Sequence, residues 1–195
     1  MKIGVLALQG AFREHRLMLE RCGAQVIEIR RPEELDAVAG LVIPGGESTT
    51  IGKLMVEWGL MEKIKSRAAE GMAIYGTCAG MILLAKDIAD SNQPRLGLMN
   101  TRVRRNAFGR QRESFEADLY VEELGPDPVK AVFIRAPYIE QADPEVKVMA
   151  AVGEHIVIAR QGKLLASAFH PELTEDDRLR SEERRVGKEC RSRWS

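Results

Sequence analysis

The sequence predicts an α/β fold, a three-layer sandwich whose mostly parallel central sheet carries helices on both faces and continues into a strand-rich second half. In the first half of the chain, short apolar runs alternate with segments of helical spacing, which is typical of parallel β-α-β units. After residue 98 the helical spacing gives way to short strand-like segments. We therefore expect one domain with two differently built halves.

The first half contains predicted strands and the helices that join them. Residues 3–8 form a continuous apolar run, as expected of a strand that is buried on both faces. Residues 11–22 have apolar side chains at helical spacing, and Gly23 ends that helix. The other predicted elements here are strands at 25–29, 41–43 and 72–75, a short helix from Pro32, a helix capped by Ser48 or Thr49, and an apolar helix at 81–85.

The second half is predicted to consist mainly of strands. They lie at 101–105, 115–121, 129–134 and 146–152, and a hairpin follows at 156–159 and 164–168. No repeat or linker divides the chain, so residues 1–179 are predicted to form one domain.

The bulk composition indicates a soluble protein with an ordinary core. Of the 195 residues 45% are apolar, no apolar run reaches the length of a membrane span, and the N-terminus has the pattern of a strand and not of a signal peptide. We therefore expect a cytoplasmic protein. The zero formal net charge excludes a general attraction to nucleic acid, and the three separated cysteines form no disulfide or metal-binding pattern, so no cofactor or metal is expected.

Residues 180–195 differ in character from the rest of the chain. Their sequence, RSEERRVGKECRSRWS, resembles the in-frame translation of a sequencing-adapter oligonucleotide, so we expect a non-native tail and exclude it from the fold. The alternative is a genuine charged C-terminal helix, in which Val186, Cys190 and Trp194 share a thin apolar stripe that Gly187 interrupts.

The strongest local signal is the segment Gly76-Thr77-Cys78-Ala79-Gly80, which lies between a predicted strand and a predicted helix. This is the pattern of a nucleophile elbow with cysteine in place of serine, because the sharp turn leaves no room for side chains two residues to either side. The helix N-terminus favours a thiolate at Cys78 and places the Ala79 N–H where an oxyanion can be held. The alternative is that Cys78 is a small buried packing residue, as most free cysteines are.

A catalytic thiolate needs a proton partner, and the chain has three histidines. His170 follows an apolar strand and precedes a proline that keeps it extended, so Glu172 is expected to face the same side and orient its ring. This predicts a Cys–His–Glu triad of Cys78, His170 and Glu172. His15, on the first helix, is expected to be solvated or in an interface, and His155 to be exposed in a turn.

A glycine-rich loop follows the third predicted strand. In Pro44-Gly45-Gly46, two residues without side chains let backbone N–H groups approach a ligand closely, which suits the second half of an oxyanion hole. A plain turn between strand and helix is the alternative. The loop, the elbow and His170 all follow strands, and sites in open α/β sheets gather at the carboxyl ends of parallel strands, so we expect the three to meet.

Together these segments resemble the class I, triad-type glutamine amidotransferases, and more narrowly the family of glutaminase subunits of pyridoxal 5′-phosphate synthase. The elbow and His170-Pro171-Glu172 mark the superfamily. The narrower resemblance extends to about residue 179 and depends on the segments IGVLALQG (3–10), PGGESTT (44–50), RNAFGRQ (105–111), FIRAP (133–137) and FHPELT (169–174).

The resemblance implies how the site works. Cys78 attacks the side-chain carboxamide of glutamine, His170 moves the proton, Glu172 orients His170, ammonia leaves, and water then releases glutamate. The implied glutamine-binding residues are Gly46, Glu47, Ser48, Arg105, Ile134 and Arg135, and the implied oxyanion hole consists of Gly45, Gly46 and Ala79. The charges agree with a free amino acid as substrate, since an arginine suits its α-carboxylate and Glu47 its α-ammonium group.

The resemblance also implies a partner. Ammonia released into water would be protonated and lose its nucleophilicity, so such glutaminases dock on a barrel-shaped synthase subunit in a large hetero-oligomer and pass ammonia through a protected tunnel. That subunit makes pyridoxal 5′-phosphate from ribose 5-phosphate and glyceraldehyde 3-phosphate, and the glutaminase activity depends on it. Three alternatives stay open: a glutaminase subunit of another biosynthetic amidotransferase, a cysteine peptidase, and an inert partner subunit.

One departure from the family concerns the C-terminus. The family continues past residue 178 into an amphipathic helix that packs on the domain, whereas here the adapter-like tail follows. Each buried apolar side chain contributes about 1.5–3 kcal/mol. This chain is therefore expected to be less stable than one with the family's helix.

Overall fold

The computed structural model describes residues 2–105, 114–174, 176 and 178. Within this range the strands are β1 (Lys2–Leu6), β2 (Gln25–Ile29), β3 (Gly40–Ile43), β4 (Ala73–Thr77), β5 (Ala85–Ile88), β6 (Met99–Arg104), β7 (Ser114–Leu119), β8 (Val129–Ile134), β9 (Tyr138–Ala142), β10 (Lys147–Val152), β11 (His155–Gln161) and β12 (Leu164–Ser167). The helices are α1 (Phe12–Arg21), α2 (Ser48–Glu57), α3 (Leu60–Ala69) and α4 (Ala79–Leu84), with short 3-10 helices at Pro32–Ala37, Glu122–Leu124 and Pro171–Leu173.

A central sheet organises the described residues. Its strands lie in the order β2-β1-β3-β4-β12-β11-β9-β6-β5, and β10 branches off by pairing with β11. The first five strands of this order run parallel to their neighbours, whereas β11 is antiparallel to both β12 and β9. A separate antiparallel pair is formed by β7 and β8. The predicted α/β fold, with a mostly parallel sheet and a strand-rich second half, is confirmed.

The parallel strands are buried because helices cover both of their faces. On one face, Ile3, Val5 and Val42 pack with Leu19 of α1. The opposite face packs with α2, α3 and α4 in a larger cluster that includes Leu41, Ile43, Ile74, Ile51, Ile64 and Leu83. Burial on both faces explains why these strands are continuous apolar runs in the sequence.

Several elements differ from the prediction. The helix predicted at 81–85 begins at Ala79 and ends at Leu84, and the chain then continues as β5. Neither β5 nor β9 nor α3 was predicted from the sequence. β5 and β9 have little apolar alternation of their own and are held by pairing with β6, so their structure depends on a distant partner.

The predicted cap of α2 was wrong by one residue. The N-cap is Glu47, not Ser48 or Thr49, and its carboxylate accepts the N–H groups of Thr49 at 3.2 Å and Thr50 at 2.7 Å. A carboxylate at this end also complements the positive helix N-terminus. Burial raises the pKa of Glu47, but the hydrogen bonds from Thr50 and Thr49 outweigh burial and lower it.

No helix among the described residues is long and apolar enough to cross a bilayer. The tail predicted at 180–195 lies outside the described residues, and so do residues 106–111 of the RNAFGRQ segment. The domain boundary near residue 179 therefore stays a prediction.

Candidate active site

Three functional segments meet at one edge of the sheet. β3, β4 and β12 are consecutive parallel strands. Each is followed by a predicted site residue: Gly45 after β3, Cys78 after β4 and His170 after β12. The expectation that the three would meet at the carboxyl ends of parallel strands is confirmed.

The turn at Cys78 has the strained geometry of an elbow. Cys78 adopts φ 49° and ψ −101°, its N–H donates to Ser167 O at 2.8 Å, and α4 begins at the next residue. A Cβ on Gly80 would lie 2.1 Å from the backbone oxygen of Ile43, and a Cβ on Gly76 would lie 2.5 Å from the backbone oxygen of Gly80. Both glycines are therefore required by close backbone approach, as the sequence pattern predicts.

His170 and Glu172 form a tight pair, although not for the predicted reason. His170 Nδ1 and Glu172 Oε1 are 2.7 Å apart. The segment is not extended: a 3-10 turn over Pro171–Leu173 brings the carboxylate back to the ring. The backbone N–H of His170 donates to Val132 O at 2.9 Å, which ties this turn to β8.

The electrostatics of the pair favour charge on both partners. Burial lowers the pKa of His170, but hydrogen bonds with Cys78 and Glu172 outweigh burial and raise it from 6.5 to about 10. Burial likewise raises the pKa of Glu172, but His15 and His170 outweigh it and lower the value from 4.5 to about 2. An imidazolium between a thiol and a carboxylate is the arrangement that a nucleophilic cysteine needs.

The glycine loop lies directly against the triad. A Cβ on Gly45 would lie 2.4 Å from His170 Cε1 and 3.4 Å from Cys78 Cβ, so only glycine allows this approach. The Gly45 carbonyl accepts the Ala11 N–H at 3.0 Å, and the Glu47 N–H donates to Gln9 Oε1 at 2.8 Å. The loop is thus anchored on both sides to the segment that follows β1.

A cavity of about 350 Å³ opens in front of the nucleophile, within the usual size range of small-molecule sites. It is lined by Gln9, Gly46, Glu47, Ser48, Cys78, Ile82, Arg105, Ile134, Arg135, Pro137 and His170. All six predicted glutamine-binding residues are in this lining, together with two members of the triad. The lining does not include the other predicted site residues, Gly45, Ala79 and Glu172. Among the described residues no cluster of acidic, histidine and cysteine side chains could hold a metal ion.

The comparisons with known proteins agree with this geometry. The SNO glutamine amidotransferase family matches residues 5–183. The chain belongs to this family. It is 61% identical over 181 residues to the pyridoxal 5′-phosphate synthase subunit PdxT of Moorella thermoacetica, with 93% of this chain and 96% of that protein covered. It is 62% identical over 179 residues to the protein of the same name from Pelotomaculum thermopropionicum, with 92% and 91% covered.

A solved structure described as a glutamine amidotransferase gives the same architecture. Its TM-score to this chain is 0.91 at 51% sequence identity, over 95% of this chain and 98% of that one. The resemblance found in the sequence motifs is therefore confirmed at the level of the family and of the fold.

Gln93 is a site residue that the sequence analysis missed. Its side chain is 8% exposed, and Oε1 faces Arg105 Nη1 at 2.9 Å, Thr49 Oγ1 at 3.1 Å and Ser48 Oγ at 3.4 Å. This one amide oxygen links Arg105 to the start of α2. It lies in an irregular stretch without a motif, so no local signal could have found it.

Arg135 has an unusual backbone. Its φ is 43°, and with Cys78 and Asp90 it is one of the non-glycine residues with positive φ in the described part of the chain. Such conformations cost about 1–3 kcal/mol and cluster at functional sites. Two of these three residues line the cavity.

The two remaining histidines differ from expectation. His15, expected to be solvated or in an interface, is 0% exposed within this chain and contacts Glu172. His155, expected to be exposed, is half-buried and stacks on Tyr138 with ring centroids 4.0 Å apart. The prediction for His15 was wrong because the neighbouring charged residues Glu14 and Arg16 hide the inward direction of its side chain.

Proposed function

We propose that this glutamine amidotransferase hydrolyses L-glutamine to L-glutamate and ammonia, with Cys78, His170 and Glu172 as its triad. The observation that carries the proposal is the continuous line of contacts from Cys78 through His170 to Glu172 at the wall of the cavity. A buried cysteine that only packed against its neighbours would need neither a strained turn nor a charged partner.

The first half of the reaction forms a thioester. At neutral pH the raised pKa keeps His170 protonated beside Cys78, which favours the thiolate. Sγ attacks the carboxamide carbon of glutamine, and the C–N bond breaks. His170 gives its proton to the departing nitrogen, so ammonia leaves and the acyl group stays on Cys78.

The second half releases glutamate. Once Sγ is acylated, the contact with Cys78 that raises the pKa of His170 is gone, so His170 becomes a usable base. It takes a proton from water, the hydroxide attacks the thioester carbonyl, and the thiolate leaves. Glu172 keeps a hydrogen on Nδ1, which leaves Nε2 as the nitrogen that exchanges protons.

Backbone donors are proposed to hold the oxyanion in both halves. The Ala79 N–H lies at the first turn of α4, next to the nucleophile, Gly45 lies directly against His170 and Cys78, and Gly46 lines the cavity. Preorganised donors of this kind usually contribute about 3–4 kcal/mol each to transition-state stabilisation.

The charged residues of the cavity suit the two ends of free glutamine. Arg105, held by Gln93 and Thr49, is proposed to bind the α-carboxylate together with Arg135. Glu47 is proposed to face the α-ammonium group. Its lowered pKa keeps it ionised, and capping α2 holds its carboxylate in place.

We further propose that ammonia is passed to the barrel-shaped synthase subunit of a pyridoxal 5′-phosphate synthase in the cytoplasm. The relatives from Moorella and Pelotomaculum, both named as subunits of that synthase, support this assignment. Ammonia must reach its acceptor unprotonated to react as a nucleophile, which is the chemical reason for a docked partner.

A glutaminase assay with and without the synthase subunit tests the proposal. We expect glutamate release mainly in the complex, and a loss of about 10³-fold or more in Cys78→Ala. Cys22→Ala, at the end of α1 and away from the cavity, is the matched control and should keep full activity. Undiminished release by Cys78→Ala would reject the nucleophile, and cleavage of peptides in place of glutamine would favour the peptidase alternative.

A further inference from the structure

His15 is a buried histidine of α1 that the proposed reaction does not use. Its side chain and that of Glu172 are both fully excluded from solvent. His15 Nε2 lies 3.1 Å from Thr77 Oγ1 and 3.2 Å from Glu172 Oε2. Because Glu172 Oε1 bonds His170, the two oxygens of this carboxylate face two different histidines.

The chemistry of the contact shows which atom carries the hydrogen. Nε2 faces a carboxylate oxygen at 3.2 Å, and a lone pair there would be repelled by it, so the contact favours the ring forms that carry a hydrogen on Nε2. The Thr77 hydroxyl shares this N–H as an acceptor. The hydrogen bond of Nε2 is with Thr77, and its 3.2 Å approach to Glu172 Oε2 is an ion-pair contact; among the described residues Oε2 has no hydrogen-bond partner.

We propose that His15 is a positioning residue of the triad: its Nε2–H holds one oxygen of Glu172 and thereby keeps the other on His170 Nδ1. The terminal torsion of a glutamate is broad, so a single contact does not fix the plane of the carboxylate. Contacts to both of its oxygens fix that plane. The inference rests on the proposed function in that the triad is the object being positioned.

Packing alone does not account for a histidine here. The other buried residues of α1, Met18 and Leu19, are apolar, and α1 packs directly on the turn that carries Glu172. An apolar side chain would fill the same space without burying polar nitrogens, which is unfavourable unless they are used. Among the described residues His15 Nδ1 has no hydrogen-bond partner, so the nitrogen that is used is Nε2, and it contacts Thr77 and Glu172.

The groups that surround the carboxylate define the electrostatic consequence. Glu172 is faced by His15 from α1 and by His170 from its own turn, and His170 is faced by Cys78 from the elbow. Without the N–H at position 15, the buried carboxylate loses a favourable electrostatic contact and the anion is destabilised. When the ionised form of Glu172 is less favourable, it stabilises the protonated ring of His170 less, so the pKa of His170 should fall.

The test compares His15→Gln, His15→Asn and His15→Leu in the isolated chain. A glutamine side-chain nitrogen reaches the place of Nε2, an asparagine nitrogen only that of Nδ1, and leucine has no donor. Met18→Ala is the matched control, a buried change on the same helix that removes no N–H or O–H donor. The His170 titration is followed by NMR of labelled histidine, and alkylation of Cys78 by iodoacetamide is followed by mass spectrometry.

We expect the His170 midpoint to fall by about one pH unit in the Asn and Leu variants, a tenfold change in its protonation constant. Alkylation of Cys78 at neutral pH should slow in parallel. His15→Gln and Met18→Ala should both titrate like the wild type. The proposal would be overturned if the His170 midpoint in His15→Asn equalled that of the wild type, or if the midpoint fell equally in His15→Gln and His15→Asn. This comparison does not need His15→Leu, so it holds even if that variant does not fold.

Neither readout needs glutamine or a partner. If the wild-type complex released no glutamate while the variants still separated in this way, the proposed function would fail and the role of His15 would stand. In an active complex, His15→Asn should lower kcat while the KM for glutamine stays within about twofold, since the residue does not line the cavity.

Discussion

Replacing Glu172 by glutamine tests the ion pair on which the proposed mechanism depends. Glutamine keeps the size of the side chain and one accepting oxygen but removes the charge. In the folded protein, contacts with His15 and His170 outweigh burial and lower the pKa of Glu172 from 4.5 to about 2. The pKa of His170 is raised from 6.5 to about 10, because hydrogen bonds with Cys78 and Glu172 outweigh burial.

These two shifts predict a bell-shaped dependence of stability on pH. A lowered carboxylate pKa stabilises the fold above the unfolded-state value of 4.5, and this contribution is lost as the pH falls towards 2. A raised histidine pKa stabilises the fold below 6.5, and this contribution is lost as the pH rises through 10. One pKa unit corresponds to about 1.4 kcal/mol, so the shift of Glu172 amounts to about 3 kcal/mol.

The assay is urea unfolding of the wild type and Glu172→Gln over a range of pH. The difference in unfolding free energy should reach about 3 kcal/mol between pH 4.5 and 6.5 and decline on both sides. The two shifts describe one ion pair, so they are not added. Glu62→Gln is the control, because this exposed residue pairs with Lys65 on the surface of α3 and the change should alter stability by less than about 1 kcal/mol.

A difference in unfolding free energy that stays constant from about pH 3 to about pH 9 would contradict a stabilising ion pair. Such a result would mean that Glu172 stabilises the fold by shape and packing and not by its charge.

Three further predictions concern the elbow, the substrate contacts and the tail. Gly80→Ala should destabilise the chain by about 1–3 kcal/mol or more, because a Cβ there would lie 2.1 Å from a backbone oxygen of β3. Gly40→Ala is the control: the atom nearest to a Cβ at that position is 3.5 Å away, so the urea midpoint should stay nearly unchanged. Gln93→Leu should raise the KM for glutamine about tenfold with little change in kcat, because Arg105 loses the nearer of its two side-chain acceptors, whereas Gln93→Glu keeps an acceptor there; equal KM values in the two variants would contradict this. Deleting residues 180–195 should leave the melting temperature unchanged if the tail is non-native, and a fall of several degrees would favour a genuine helix.

The elbow could be predicted from the sequence because its cause is local. The turn at Cys78 brings Gly76 and Gly80 against backbone atoms, and only glycine fits at either place. The parallel strands could be predicted equally well, since burial on both faces requires a continuous apolar run. Parallel order then brings the ends of β3, β4 and β12 to one edge.

The pair His170 and Glu172 shows a correct prediction with a wrong reason. Spacing by two residues suggested an extended chain, but the structure forms a 3-10 turn that Pro171 begins. Proline fits the first position of such a turn as well as it fits an extended chain. The local pattern therefore fixed which residues pair but not the conformation that pairs them.

By itself, the sequence determined the family, the α/β fold, the proposed triad and eight of the eleven residues that line the cavity, because each depends on a short motif or on a periodicity of burial. Only the tertiary structure decided which residues outside the motifs contact the site. His15 meets Thr77 across 62 positions of chain, and Gln93 meets Arg105 from an irregular loop. Neither residue belongs to a motif, and each has its role only because packing brings one polar atom to a partner that is distant in the sequence.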